Sequence, residues 1–192
     1  LNPSSAASDV YKRQHISIVD KYGNALSMTS TIESSFGSRL MTNGGFLLNN
    51  ELTDFSFQKE KKGKRVANNI EPNKRPRSSM APTIIFKNDK PLFIIGSPGG
   101  SNIIGYVVNS IIGLVDWKMN VQQAASIPHG INKFGTFYLE KNSKISLLKN
   151  QLEKKGYKVK LRNFYSGLNI IQIKKKLFGG SDHRREGVAI GY

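Results

Sequence analysis

The chain contains no cysteine. This excludes disulfides, thiolate catalysis and cysteine-held metal, and it leaves the fold indifferent to the redox state of its compartment. No apolar run approaches the roughly 18–20 residues a membrane-spanning helix requires, so no membrane span is expected in this chain. Acidic residues are scarce: 13 Asp and Glu stand against 29 Lys and Arg, giving a formal net charge of +16 and a pI near 10.1. Charge of that size suits a nucleic acid or an anionic surface, but its layout does not. The basic runs Lys59–Arg65 and Lys174–Lys176 are short and far apart, with no interleaved aromatic platform on which bases would stack. No nucleic-acid partner is expected. The excess reads as lysine standing for neutral or acidic surface residues, or as the complement of an acidic partner chain.

With 192 residues, 38% of them hydrophobic, the chain is long enough to bury a core, and its length suggests one domain. Leu1–Gln14 is set apart: small and polar, then basic, without strand or helix period. This leader resembles translated adaptor sequence, the alternative being a disordered native tail. Patterned sequence begins at His15. Ile16, Ile18 and Ala25–Thr31 predict two strands around Lys21-Tyr22-Gly23-Asn24. Gly44–Leu48 is a short apolar stretch. Residues 57–76 form a polar, Lys-rich loop long enough to act as a lid. Thr83–Phe86 and Leu92–Ile95 predict a second hairpin around Lys87-Asn88-Asp89-Lys90.

Ile103, Ile104, Val107, Val108, Ile111 and Leu114 have helical spacing, with Ser101 or Asn102 as N-cap. Asn120 caps a second short helix ending before Pro128. Ser143–Lys155, stopped by Gly156, predicts a third. Val159–Leu161 and Ile170–Lys174 predict strands. Strands early and late with helices between them give an α+β layered domain.

Three places offer chemistry. Gly96-Ser97-Pro98-Gly99-Gly100-Ser101 joins a strand to a helix N-terminus, where paired glycines expose backbone N–H groups to an anion or a developing oxyanion. No Gly-Lys-Ser/Thr follows, so this is not a phosphate-binding P-loop; a plain tight turn is the competing reading. Ser78 and Ser79 offer adjacent hydroxyls after a loop, or simply a capped turn. Glu51 and Asp54 place two carboxylates three residues apart, a spacing suited to gripping an ammonium group, or else a solvated loop.

Taken together, the order and spacing of His15-Ile16-Ser17-Ile18-Val19-Asp20, Gly23-Asn24-Ala25, Phe36-Gly37, Leu47-Leu48-Asn49-Asn50 with Asp54-Phe55, Arg75-Pro76, Ser78-Ser79-Met80-Ala81-Pro82-Thr83 and Gly96–Ser101 resemble the small subunit of the γ-glutamyltranspeptidase family. The resemblance runs from His15 to Tyr192. It implies the small-subunit half of a four-layer αββα sandwich, the N-terminal-nucleophile hydrolase fold, completed by a large subunit cut from the same precursor. It implies cleavage of the γ-glutamyl amide of glutathione-like compounds through a threonyl ester that passes to water or an acceptor amine. No cofactor or metal is implied, and a periplasmic or extracellular location follows from the family.

By the same resemblance Gly99 and Gly100 supply oxyanion N–H groups, Ser78 and Ser79 bind the substrate α-carboxylate, and Glu51 and Asp54 bind its α-ammonium. Thr31 orients the nucleophile, and Glu33 stands where many members carry a substrate-binding Asn. The family has Thr-Thr before the His matching His15, the first Thr being the nucleophile. Here those positions are Arg13 and Gln14, so the chain is expected to be inactive as it stands. A glutaryl-type acylase of the same superfamily and a non-catalytic homologue are the alternatives.

Overall fold

The structure, a computed structural model, describes residues 13–191. Two units form within them, one of residues 13–14 and 30–79, the other of residues 15–29 and 80–191. Most of the expected leader, residues 1–12, lies outside the described residues, as does Tyr192. Arg13 and Gln14 open strand β1 (Arg13–Val19), which pairs with β2 (Ala25–Thr31) as the sequence predicts. Asp20 ties the turn: its Oδ1 accepts from the backbone N–H of Tyr22 at 2.8 Å and of Asn24 at 2.9 Å. The polarity of this hairpin is inverted. His15 is buried, and Ser17 and Ser27 form hydrogen bonds to the neighbouring sheet, whereas Ile16, Ile18, Leu26 and Met28 are 41–47% exposed.

The first unit has little regular structure. A 3₁₀ helix spans Glu51–Asp54. The expected lid-like loop is not featureless: β3 (Glu60–Lys61) and β4 (Lys64–Arg65) make a short hairpin, turned by Lys62 and Gly63 at φ 53° and 71°. The signal was missed because both strands are two residues long and fully charged. The loop is anchored where Asn68 Nδ2 donates to the Asp54 carbonyl at 2.7 Å and Asn68 Oδ1 accepts from Arg77 N–H at 2.9 Å.

The second unit holds the core. β5 (Thr83–Lys87) and β6 (Lys90–Gly96) form the predicted hairpin, with Asn88 and Asp89 taking φ of 51° and 57° at the turn. Helix α1 (Ile103–Val115) follows, without a side-chain cap from Asn102. Helix α2 (Val121–Ala125) carries the expected Asn120 cap as a full capping box with Gln123. The chain continues through β7 (Gly130–Lys133), β8 (Thr136–Glu140), a 3₁₀ turn at Lys144–Leu148 and α3 (Lys149–Lys154). It ends in β9 (Lys158–Arg162), β10 (Asn169–Ile173) and β11 (Leu177–Ser181). The third predicted helix is therefore half 3₁₀, and β7, β8 and β11 are additions to the sequence reading.

The main sheet has the order β11-β10-β6-β5, all antiparallel; a smaller one has the order β7-β8-β9, with β8 and β9 parallel. Ile94 and Ile95 are successive and both fully buried, so β6 is covered on both faces. Burial of each contributes about 1.5–3 kcal/mol. Ile95 joins Ile103, Tyr106, Val107, Leu168 and Ile170 in the core. On the hairpin side, Ser27 donates to the Ile95 carbonyl at 3.0 Å and Ser17 to the Asn169 carbonyl at 3.2 Å. The hydroxyls of the inverted hairpin are thus spent on the sheet's backbone. The architecture is α+β.

Candidate functional site

In the first unit, Arg13 is 8% exposed and draws together three of the residues singled out in the sequence. Its Nε donates to Thr31 Oγ1 at 3.4 Å, its Nη2 lies 3.4 Å from Asp54 Oδ2, and the same nitrogen is 3.9 Å from Glu33 Oε1. Glu51 belongs to the same group. A 3₁₀ helix has three residues per turn, so its first and last residues, Glu51 and Asp54, stack on one side. Burial pushes the Glu51 carboxyl above its usual range, the Asp54 charge pushes it further, and Arg13 works against both. Glu51 Oε2 is buried without a hydrogen-bond partner.

Asn49 and Asn50 hold this turn. Asn49 Oδ1 accepts from Glu51 N–H at 2.9 Å, Asn50 Oδ1 accepts from Ser34 N–H at 2.9 Å, and Asn50 Nδ2 donates to Thr53 Oγ1 at 3.0 Å. Ser34 in turn donates to Glu33 Oε2 at 2.5 Å. Glu33 sits at φ 70°, in the left-handed region. Ser78 and Ser79 belong to the same unit, outside any helix or strand, Ser78 exposed and Ser79 half-buried. The cluster is an acceptor set for a cation, and in this chain a guanidinium occupies it.

Gly99 and Gly100 lie in the second unit, at the end of β6, and adopt φ of 137° and 60°. Gly100 opens the 3₁₀ turn, Gly100–Asn102, that runs into α1. A side chain at Gly99 would run into the ring of Tyr106, so the position requires glycine for space as well as for conformation. Ser97 is fully buried beside it: its Oγ accepts from Gly167 N–H at 3.0 Å and donates to the Pro98 carbonyl at 2.7 Å. His15 packs its ring against Gly96, where a Cβ would collide with it. Its Nδ1 bonds Thr29 Oγ1 at 2.8 Å and its Nε2 bonds Ser17 Oγ at 3.0 Å. Burial lowers its pKa from 6.5 to about 4, so it is neutral.

The sequence reading missed a buried polar group in the same unit. His129 and Ser166 are fully buried, and His129 Nε2 bonds Ser166 Oγ at 2.8 Å. Ser166 donates its proton to Asp182 Oδ2, so the hydrogen between His129 and Ser166 comes from the imidazole. Arg184 bridges Asp182 Oδ1 at 2.9 Å and Glu140 at 2.6 and 2.8 Å. Burial, then the Arg184 charge, lowers the His129 pKa to about 4. Ser, His and Asp are all present, but the serine stands between the other two and is sealed from solvent, so it is no hydrolase nucleophile. Each member is isolated in the sequence, which carries no local signal for the group. Among the described residues no cluster suits a metal ion.

The Gamma-glutamyltranspeptidase family model matches residues 3–192. The glutathione hydrolase proenzyme of Bacillus subtilis strain 168 is 36% identical over 183 residues, 92% of this chain and 30% of that protein. That of Escherichia coli K12 is 36% identical over 189 residues, 93% of this chain and 32% of that protein. This chain thus spans about a third of the length of the curated relatives it matches. Among solved structures, a mutant of Helicobacter pylori gamma-glutamyltranspeptidase superposes with a TM-score of 0.80 at 39% identity, covering 89% of this chain and 99% of that one. The Pseudomonas nitroreducens gamma-glutamyltranspeptidase complexed with L-DON gives 0.80 at 30% identity, covering 93% and 98%. With the α+β architecture and with matches that run along nearly the whole chain, the protein belongs to the γ-glutamyltranspeptidase family, in its C-terminal small-subunit part.

Proposed function

We propose that this chain is the small-subunit part of a γ-glutamyl hydrolase or transferase acting on glutathione-like compounds, and that Arg13 withholds the covalent step. The observation carrying this reading is the position of Arg13 against Thr31, Glu33 and Asp54. The residue two places before His15 points at the threonine expected to orient the nucleophile. In a chain with Thr at position 13 and a free α-amine, that amine accepts the hydroxyl proton while Oγ attacks the γ-carbonyl carbon. The oxyanion forms opposite the N–H groups of Gly99 and Gly100. Collapse expels the amine leaving group with the proton, leaving a γ-glutamyl ester, which water or an acceptor amine then cleaves. Glu51 and Asp54, with Glu33 beside them, take the substrate α-ammonium, and Ser78 and Ser79 its α-carboxylate.

Arginine at position 13 has no hydroxyl to attack with, and its guanidinium already neutralises the carboxylates meant for the ammonium. The same contact favours a second reading, a non-catalytic homologue. A glutaryl-type acylase fits less well, since a glutaryl group has no ammonium for Glu51 and Asp54. The partner is a large subunit, supported by the exposed apolar side of β1–β2, which asks for a cover. Residues 57–76, which include the β3–β4 hairpin, serve as the lid, and the location is periplasmic or extracellular.

The test pairs this chain with a relative's large subunit and assays γ-glutamyl anilide turnover. No turnover is expected from the parent, and turnover is expected after Arg13→Thr with Gln14→Thr in a precursor context. Turnover by the parent pair would overturn the reading of Arg13. A folded Thr-Thr precursor that self-cleaves but spares γ-glutamyl substrates would overturn the substrate class.

A further inference from the structure

The glycines of the turn owe their value to the space and torsions they allow, and the same freedom lets their peptides rotate unless something outside holds them. In the second unit that something is visible. The ring of Tyr106, only 1% exposed, fills the place a Gly99 side chain would take. Tyr106 lies one helical turn beyond Asn102, and the Tyr165 backbone and the Asn102 side chain act on its hydroxyl, while burial pushes its pKa up. Its ring is tilted against His129, centroids 4.3 Å apart, with Phe164 edge-on to both at 5.9 and 5.7 Å. Tyr106 therefore cannot back away from Gly99 without moving His129.

His129 is fixed at both ends by one closed ring of hydrogen bonds. From its Nε2 the ring passes to Ser166, then Asp182, Arg184 and Glu140, and Glu140 Oε2 accepts the backbone N–H of His129 at 2.8 Å, which returns the path to the residue it left. The ring touches the turn a second time, because Gly167 follows Ser166 and its N–H reaches Ser97 Oγ.

We infer that Tyr106, backed by His129, is a positioning residue that sets the orientation of the Gly99 and Gly100 peptides. This deepens the proposed function, since its catalytic meaning rests on those N–H groups facing the oxyanion. Neither residue touches substrate; Tyr106 acts through Gly99, and His129 acts through Tyr106. Neutral His129 serves better here than a charged one, because its Nδ1 is buried without a hydrogen-bond partner and a proton there would lack an acceptor.

The experiment uses the full chain, ¹⁵N-labelled, and reads backbone order parameters and the ring-current shift on the Gly99 Hα protons. In the parent, Gly99 and Gly100 should give order parameters near 0.85, and Tyr106→Leu should drop both below about 0.6 while Ile94 and Ile95 stay rigid. Tyr106→Phe keeps the ring and should keep both the shift and most of the order. His129→Gln, which keeps a donor toward Ser166, should resemble the parent; His129→Leu should loosen the turn while Tyr106 remains present. Should Tyr106→Leu fail to fold, the His129 pair decides the matter alone. Unchanged Gly99 and Gly100 in Tyr106→Leu, or equal loosening of Ile94 and Ile95, would overturn the inference. Failure of the oxyanion reading has a different signature: a turn that Tyr106 does hold, whose N–H groups can be removed in an assembled active enzyme without slowing acylation.

Discussion

The guanidinium of Arg13 and the carboxylate of Asp54 stand 3.4 Å apart, with side chains only 9% and 21% exposed. A half-buried pair of this kind is costly to break from one side. Arg13→Ala leaves Glu33, Glu51 and Asp54 facing one another without a cation, and should cost about 1–3 kcal/mol of stability at neutral pH. Urea unfolding measures it. The deficit should shrink toward acid pH, because burial and the Asp54 charge already push the Glu51 carboxyl above its usual range and its protonation relieves the repulsion. A deficit independent of pH would mean that Arg13 acts by packing alone.

In an enzyme assembled with Thr-Thr at positions 13 and 14, Asp54→Ala should weaken capture of the α-ammonium by about 2–3 kcal/mol, roughly 30- to 160-fold in KM for γ-glutamyl substrates. Glutaryl analogues have no ammonium and should respond little. Equal losses on the two substrate classes would place Asp54 in the support of the 3₁₀ turn.

Proline looks like a direct way to delete the Gly100 N–H, but φ of 60° at that residue rules it out, because a pyrrolidine ring fixes φ near −65°. An amide-to-ester exchange at Gly100 removes the donor and leaves the torsion. In the assembled enzyme it should slow acylation by the equivalent of about 2.7–4 kcal/mol while leaving substrate binding nearly unchanged. Burst-phase kinetics separate the two quantities, and an unchanged burst rate would remove Gly100 from the mechanism.

His15 and His129 are both neutral in the fold, each held down to about 4 by burial. The unfolded chain protonates these imidazoles first, at pH values where the folded chain still refuses the proton. Stability should therefore be full above pH 6.5 and be lost as pH falls from 6.5 toward 4, by at most about 1.4 kcal/mol per pH unit for each imidazole. Chemical unfolding of the parent and of His129→Gln across that window checks this. The variant should show a shallower slope, and parallel curves would mean that His129 takes up protons equally in both states.

Local chemistry made part of this molecule readable. The β5–β6 turn is announced by Asn88-Asp89, α1 by the spacing of its apolar residues, and α2 by Asn120 with Gln123 three residues on. The acidic pair is readable because i, i+3 spacing survives in a 3₁₀ helix as a shared face. What escaped depends on distant partners. β11 contains Gly179-Gly180, poor strand formers, and Gly180 is required because a side chain there would meet the backbone of Val121. β7 and β8 are joined at Phe134-Gly135, a two-residue turn with φ of 51° and 79°, and Phe134 stands where the turn rules expect Asn, Asp or Gly. The surroundings of His129 escaped for the same reason: Ser166, Asp182, Arg184 and Glu140 meet only after the sheets form.

A loop of hydrogen bonds without a free end has a consequence for inheritance. In a linear chain of contacts the last member can be lost cheaply and the rest shortened behind it. In the circuit from His129 back to His129 every member has two neighbours, so any first loss takes a hydrogen-bond partner from two polar groups at once. Once it has opened, a second loss should add little, and the cost of two substitutions should fall well short of the sum of the singles. Such a circuit resists gradual editing. Related chains should carry it whole or replace it whole, with His129, Glu140, Ser166 and the neighbouring pair Asp182 and Arg184 changing together although four stretches of the chain supply them.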